Sequence, residues 1–154
     1  MKKTANVITT LFQFIVTFVA LLIIFLIYAV LNVDDVDMVN TIGFFLFQPL
    51  FASIFSALTI AVCFIVGLPI RFNNKINRWW KTKPLLPIIG FAIGLFLLML
   101  AFNSNLTDTK QVVINEETVE KEVPNLVVSV SGWLLVAFSL LHFYPVSLRS
   151  LFHK

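Results

Sequence analysis

Two groups of side chains in this sequence are of types that do chemistry. The first is the stretch "RFNNKINRWWKTKP", residues 71–84, where Arg71, Lys75, Arg78, Lys81 and Lys83 surround Trp79 and Trp80. In a soluble domain such cations would hold phosphates while the indoles stacked on bases. The second group is Gln13, Gln48 and His142, polar residues set within long apolar runs. A lone imidazole is the ordinary proton switch near neutral pH, and a buried amide orients a ligand or a neighbouring helix.

Other chemistries find little support. His142 and His153 have no Cys, Asp or Glu nearby with ligand spacing, so no metal site is expected. Cys63 is the single cysteine and lies in an apolar run, where cysteine behaves as a small hydrophobe. No glycine-rich phosphate loop and no serine-nucleophile motif appears. No enzymatic activity and no cofactor is expected.

The elements that must position these residues are hydrophobic. Apolar residues make up 59% of the chain and charged ones 12%, with a mean hydropathy of +0.96. Ordinary soluble domains stand at about 45–50% and about 25%. The apolar residues form long runs, and runs of about 18 or more predict transmembrane helices. The first covers residues 7–31 and follows Met1-Lys2-Lys3. It is far longer than the about 7–15 residues of a signal-peptide core, so a retained span is expected. The second block, 41–70, is too long for one straight crossing. Pro49 suits a first helical turn, so either a span starts there with 41–48 interfacial, or one helix continues through a kink. The third and fourth runs are 85–102 and 126–148.

Charge orients them. Lys2, Lys3, the five basic residues of 71–84, Arg149 and Lys154 fall on one side, and only Lys110 and Lys121 on the other. The positive-inside rule then places both termini and the 71–84 loop in the cytoplasm. All 8 carboxylates fall in the outer loops, 32–40 and 103–125. None lies in a span, and neither does Lys or Arg, which argues against a self-sufficient ion-coupled transporter. The basic loop thereby loses its nucleic-acid reading. It is too short for such a module, and its cations suit anionic lipid headgroups while its Trp pair suits the membrane–water boundary. Arg71, Lys75 and Arg78, at i, i+4 and i+7, allow a short interfacial helix charged on one side.

Gln13 and His142 each lie about six residues from the cytoplasmic end of their runs, so the two could hydrogen-bond where the first and last helices are neighbours. His142 serves either as a packing group or as a ligand or pH site. Gln48 serves as a cap, a bond to a neighbouring helix or a substrate contact. Small residues mark where helices approach closely in lipid. They are Gly90 and Gly94 at GxxxG spacing, Ser129 and Gly132, and a second-run face of Ala52, Ser53, Ser56, Ala57 and Ala61. Internal packing and docking onto a partner both use such faces. In residues 103–125 the alternation around "TVEKEV" suits a short β-hairpin as well as an acidic connector.

The expected architecture is an all-α membrane protein with four transmembrane helices in a compact bundle, both termini cytoplasmic. The expected function is non-enzymatic, as an accessory subunit or protective partner of another membrane protein. The alternative is a homo-oligomeric transporter of small molecules or lipids, with Gln13, Gln48 and His142 lining the path.

Overall fold

The structure is a computed structural model that describes residues 2–31, 38–103, 106–114 and 117–148. Asp34, Asp35, Asp37, Glu116, Arg149, His153 and Lys154 lie outside the described residues. The chain is mostly helical, with α1 (Lys2–Leu31), α2 (Met38–Val66), α3 (Leu68–Phe72), α4 (Asn74–Lys81), α5 (Leu85–Leu100) and α6 (Leu126–Leu141). Strands β1 (Asp108–Ile114) and β2 (Glu117–Val123) pair between α5 and α6.

Among the described residues, two helices are long and apolar enough to cross a membrane, Thr4–Leu31 and Phe45–Val66. A third is reached if α4 and α5, bent by 74° at their junction, count as one span. Four full-length spans were expected. The helices in the third and fourth runs have 16 residues each, roughly 24 Å, where a crossing takes about 20 residues. Proline accounts for the shortfall of α6. Pro145 disfavours helical backbone at Tyr144, and the helix ends at Leu141, ahead of the apolar run's end.

The second run resolves differently at each end. Pro49 lies inside α2, which runs unbroken from Met38, so 41–48 is helical and continuous with the span. At the other end α2 stops at Val66. Gly67 accepts from the amides of Ile70 and Arg71, and Pro69 sits in the first turn of α3. The α-helix is therefore interrupted at Gly67, where the sequence alone suggested an unbroken run to residue 70.

Helix α6 packs most extensively on α5 and also against α1 and α2. Leu21, Ile60, Cys63, Leu98, Val136, Ala137 and Leu141 form the buried core. The glycines explain the intimacy of α5 and α6. A Cβ on Gly94 would lie 2.9 Å from the carbonyl oxygen of Gly132, and one on Gly132 would lie 2.7 Å from that of Gly94. Gly90 likewise faces Ser139. The GxxxG pair and Gly132 thus serve packing within the chain.

The hairpin is antiparallel, with Val112 opposite Val119 and Lys110 opposite Lys121. It is tied to α6 by Asp108, which accepts from Asn125 Nδ2 and from the backbone N–H of Leu126, both at 3.1 Å. A carboxylate there meets the orphan N–H groups of the helix start. Asn125 caps the same turn by accepting from Val128 at 3.1 Å.

Candidate functional site

The polar groups converge at the C-terminal end of α6. The first contributor is Arg71 on α3. Along α2, Ala52, Ser56, Ile60, Cys63 and Gly67 are all buried, spaced by three or four residues, and Arg71 continues that row one turn later. Its side chain is fully buried. Nη2 donates to the carbonyl of Leu141 at 2.8 Å and to Oε1 of Gln13 at 3.3 Å. The Leu141 carbonyl is one of the unpaired acceptors at a helix end, where a cation is favourable. The guanidinium carbon also stands 5.3 Å from the Phe64 ring centroid, within cation–π range. None of these partners is a carboxylate. Burial lowers the pKa of Arg71 to about 10, which leaves it charged at neutral pH.

Gln13 is buried on α1 and uses both ends of its amide. Nε2 donates to the carbonyl of Tyr144 at 2.7 Å while Oε1 accepts from Arg71. The direct Gln13–His142 hydrogen bond that matching depths allowed does not form. The two residues meet instead through Arg71 and the segment 142–148.

His142 follows the last residue of α6 and is fully buried. Its ring stacks on Phe138, centroids 4.4 Å apart, and Nδ1 lies 3.0 Å from the Phe138 carbonyl. The other face of the site is Gly67, whose missing side chain leaves the space that the imidazole occupies. Nε2 of His142, together with Nε and Nη1 of Arg71, is buried without a hydrogen-bond partner among the described residues.

The amphipathic α4 closes the site from below. Asn73 starts this helix by accepting from the amides of Lys75 and Ile76 at 2.9 and 3.4 Å. Its inner face carries Asn77, buried, whose Nδ2 donates to the carbonyls of Ile70 at 3.1 Å and Pro145 at 3.0 Å. One turn on, Trp80 Nε1 donates to the carbonyl of His142 at 2.7 Å. Lys75, Arg78, Trp79 and Lys83 are exposed. Lys81 is half-buried with its ammonium 4.7 Å from the Tyr144 ring, and burial, then the charge of Arg71, lowers its pKa.

The residues singled out for headgroup contact therefore divide. Lys75, Arg78, Trp79 and Lys83 face outward, whereas Arg71 and the indole N–H of Trp80 are turned into the protein. Gln48 stays apart. It is half-buried on α2, 19 residues before Gly67 and hence roughly 28 Å away along the helix. Asn77 and the carbonyls of 141–145 were not foreseen. The spacing of Asn77 and Trp80, one turn apart on a strongly two-faced helix, is the signal that marks them.

A second feature lies on the outside of α1 and α2. Phe14, Ile15, Phe18, Ala57, Ile60, Ala61 and Phe64 line an open apolar groove of about 590 Å³. Ala57 and Ala61 form its exposed floor, while Ser53 on the same helix is partly exposed and donates to the Pro49 carbonyl at 2.7 Å. Ala52 and Ser56 of the same small-residue series face inward. Among the described residues, no group of three or more His, Cys, Asp or Glu is placed to hold a metal ion.

Comparisons with family models, curated proteins and solved structures find no match to this chain.

Proposed function

We propose that the chain is a multi-pass membrane protein of four crossings with both termini cytoplasmic, acting without catalysis by docking against another membrane protein. The observation that carries this reading is the groove between α1 and α2. Helices in lipid associate where small residues allow close approach. The glycines of α5 and α6 spend that property inside the chain, but Ala57 and Ala61 turn theirs outward. Flanking Phe14, Phe18 and Phe64 give a partner helix broad apolar walls.

Purification in mild detergent is the direct test. A second membrane protein is expected at stoichiometric yield with the wild type and is expected to be lost from Ala57→Trp, which fills the groove. Ala92→Trp, on the exposed side of α5, is expected to retain it. Loss from both variants, or from neither, removes the groove as the docking site.

The topology has its own outcome. Reporter fusions after Asn32 and Asn115 are expected to read outside and one after Asn77 inside, following the lysine and arginine asymmetry. Reversal at any of the three refutes the arrangement.

The second reading, a homo-oligomeric transporter, draws on the convergence of Gln13, Arg71 and His142. Buried ionisable groups within membrane proteins often mark a ligand path. A pure homo-oligomer in the same purification favours it.

A further inference from the structure

Helix α4 carries three stripes of side chains, each a pair about one turn apart. Asn77 and Trp80 turn inward and donate to the carbonyls of Ile70, Pro145 and His142. Ile76 and Trp79 are exposed and apolar, and Lys75 and Arg78 are exposed and cationic. At about 100° per residue, the cationic stripe lies nearly opposite the inward one, with the apolar stripe between them. The inward bonds fix how α4 rolls on the protein, so the two outer stripes are presented in set directions.

The bend sets the tilt. Helix α4 meets α5 at 74°. With α5 crossing the bilayer, the reading proposed above on which this inference rests, α4 runs close to the membrane plane. Exposed Leu85 and Leu86 open α5 just after the turn, so the apolar region begins at that level. Residues 71–84 contain no Asp or Glu, so the outward charge of Lys75 and Arg78 has no carboxylate in its own loop.

We propose that the outer face of α4 is a contact surface for anionic phospholipids, with Lys75 and Arg78 on the headgroups and Ile76 and Trp79 at the edge of the hydrocarbon. Lysine and arginine at the surface attract anionic lipids, and indoles favour the membrane–water boundary. A soluble acidic partner would match the cations but leave the adjoining apolar stripe in water. A zwitterionic lipid would accept the apolar stripe but offers the cations no net charge. Because α4 is already folded and tethered, the lipid contact does not carry the cost of ordering a helix.

The test reconstitutes the full chain in phosphatidylcholine bilayers at low ionic strength, where exposed charges are least screened. A minor fraction of the lipid, either phosphatidylglycerol or phosphatidylcholine, is brominated in its acyl chains. Bromine quenches indole fluorescence on contact, and Trp79 is the exposed one of the three indoles. At equal mole fraction, phosphatidylglycerol is expected to be preferred about fivefold, the factor that one basic residue contributes near an anionic surface. Lys75→Gln/Arg78→Gln is expected to lose the preference. Lys110→Gln/Lys121→Gln removes the same charge from the hairpin and is expected to keep it. If the α4 pair does not reconstitute, the single variants Lys75→Gln and Arg78→Gln decide, each expected to lower it. Equal quenching by the two lipids in the wild type overturns the proposal. So does a preference that survives in the α4 variants, or one that the hairpin variant loses equally. Both leaflets carry the same lipids, so the result does not depend on which side faces the cytoplasm. The reporter fusions test that side independently, and the groove variants test docking, so failure of either is told apart from failure of the lipid contact.

Discussion

Gly132→Val is expected to lower stability by about 3 kcal/mol and to separate α5 from α6 in detergent. A Cβ at this position would lie 2.7 Å from the Gly94 carbonyl oxygen and 3.0 Å from the Leu98 amide nitrogen. These are backbone atoms within a hydrogen-bonded helix, so no rotamer change makes room. Overpacking of this kind costs about 1–3 kcal/mol, and the branched side chain of valine puts it at the upper end. The damage propagates along α5. Tyr28 Oη donates to the Leu98 carbonyl at 2.6 Å, and the Asn125 amide donates to the Ala101 carbonyl at 3.1 Å. Both bonds stretch if α5 moves away. Gly94→Ala is expected to fall in the same direction, since its Cβ would meet Val136 Cγ2 at 2.8 Å and the Val136 amide at 2.9 Å. Gly43→Ala supplies the contrast. Nothing lies within 4 Å of a Cβ there, so the better helix propensity of alanine is expected to stabilise by about 1 kcal/mol. Thermal unfolding of the four proteins in one detergent checks the order. An unchanged Tm for Gly132→Val would show that the helices do not approach at that point.

That crossing point was half legible in the sequence. Gly90, Gly94 and Gly132 announce close backbone approach, but small residues do not say whether the approaching helix belongs to the same chain. The contrast with Ala57 and Ala61, equally small yet facing outward, depends on which side of each helix the core claims. The hairpin was legible because its second strand alternates Val119, Lys121 and Val123 with polar residues. Its attachment through Asp108 was not, since a capping carboxylate 18 residues before its target leaves no local pattern.

Arg71 shows where a composition rule loses the physics. Counting lysines and arginines treats a loop as a charge and ignores which way each residue points. The reading of 71–84 as one interfacial unit therefore grouped Arg71 with Lys75 and Arg78. Pro69, two residues earlier, starts a separate short helix, and Asn73 starts α4 afresh. Arg71 belongs to the row of buried residues that runs down α2, and that periodicity was present in the sequence. It was obscured because a charge on an apolar stripe looks like the stripe's end. His142 and Gln13 were found for the opposite reason: isolated polar groups stand out within apolar runs even when their partners cannot be named.

Gly67→Ala tests whether the buried cluster depends on one missing side chain. Backbone alone predicts a gain. Gly67 has φ −84° and ψ −1°, a right-handed conformation open to any residue. Alanine there is expected to stabilise by about 0.4–1 kcal/mol by restricting the unfolded chain. The site predicts the reverse sign. A Cβ on Gly67 would overlap the imidazole of His142, which is held on its other side by Phe138. The ring must leave its place, breaking the Nδ1–Phe138 contact and disturbing the His142 carbonyl that accepts from Trp80. A net loss of about 1–3 kcal/mol is expected, with residues 142–148 more open to protease because their tethers begin at that carbonyl. The decisive comparison is made in a His142→Ala background. With the ring gone, Gly67→Ala is expected to become neutral or stabilising, as its backbone conformation dictates. If Gly67→Ala destabilises equally with and without the ring, the imidazole does not occupy the space beside Gly67. The buried arrangement of Arg71 and His142 would then need another wall.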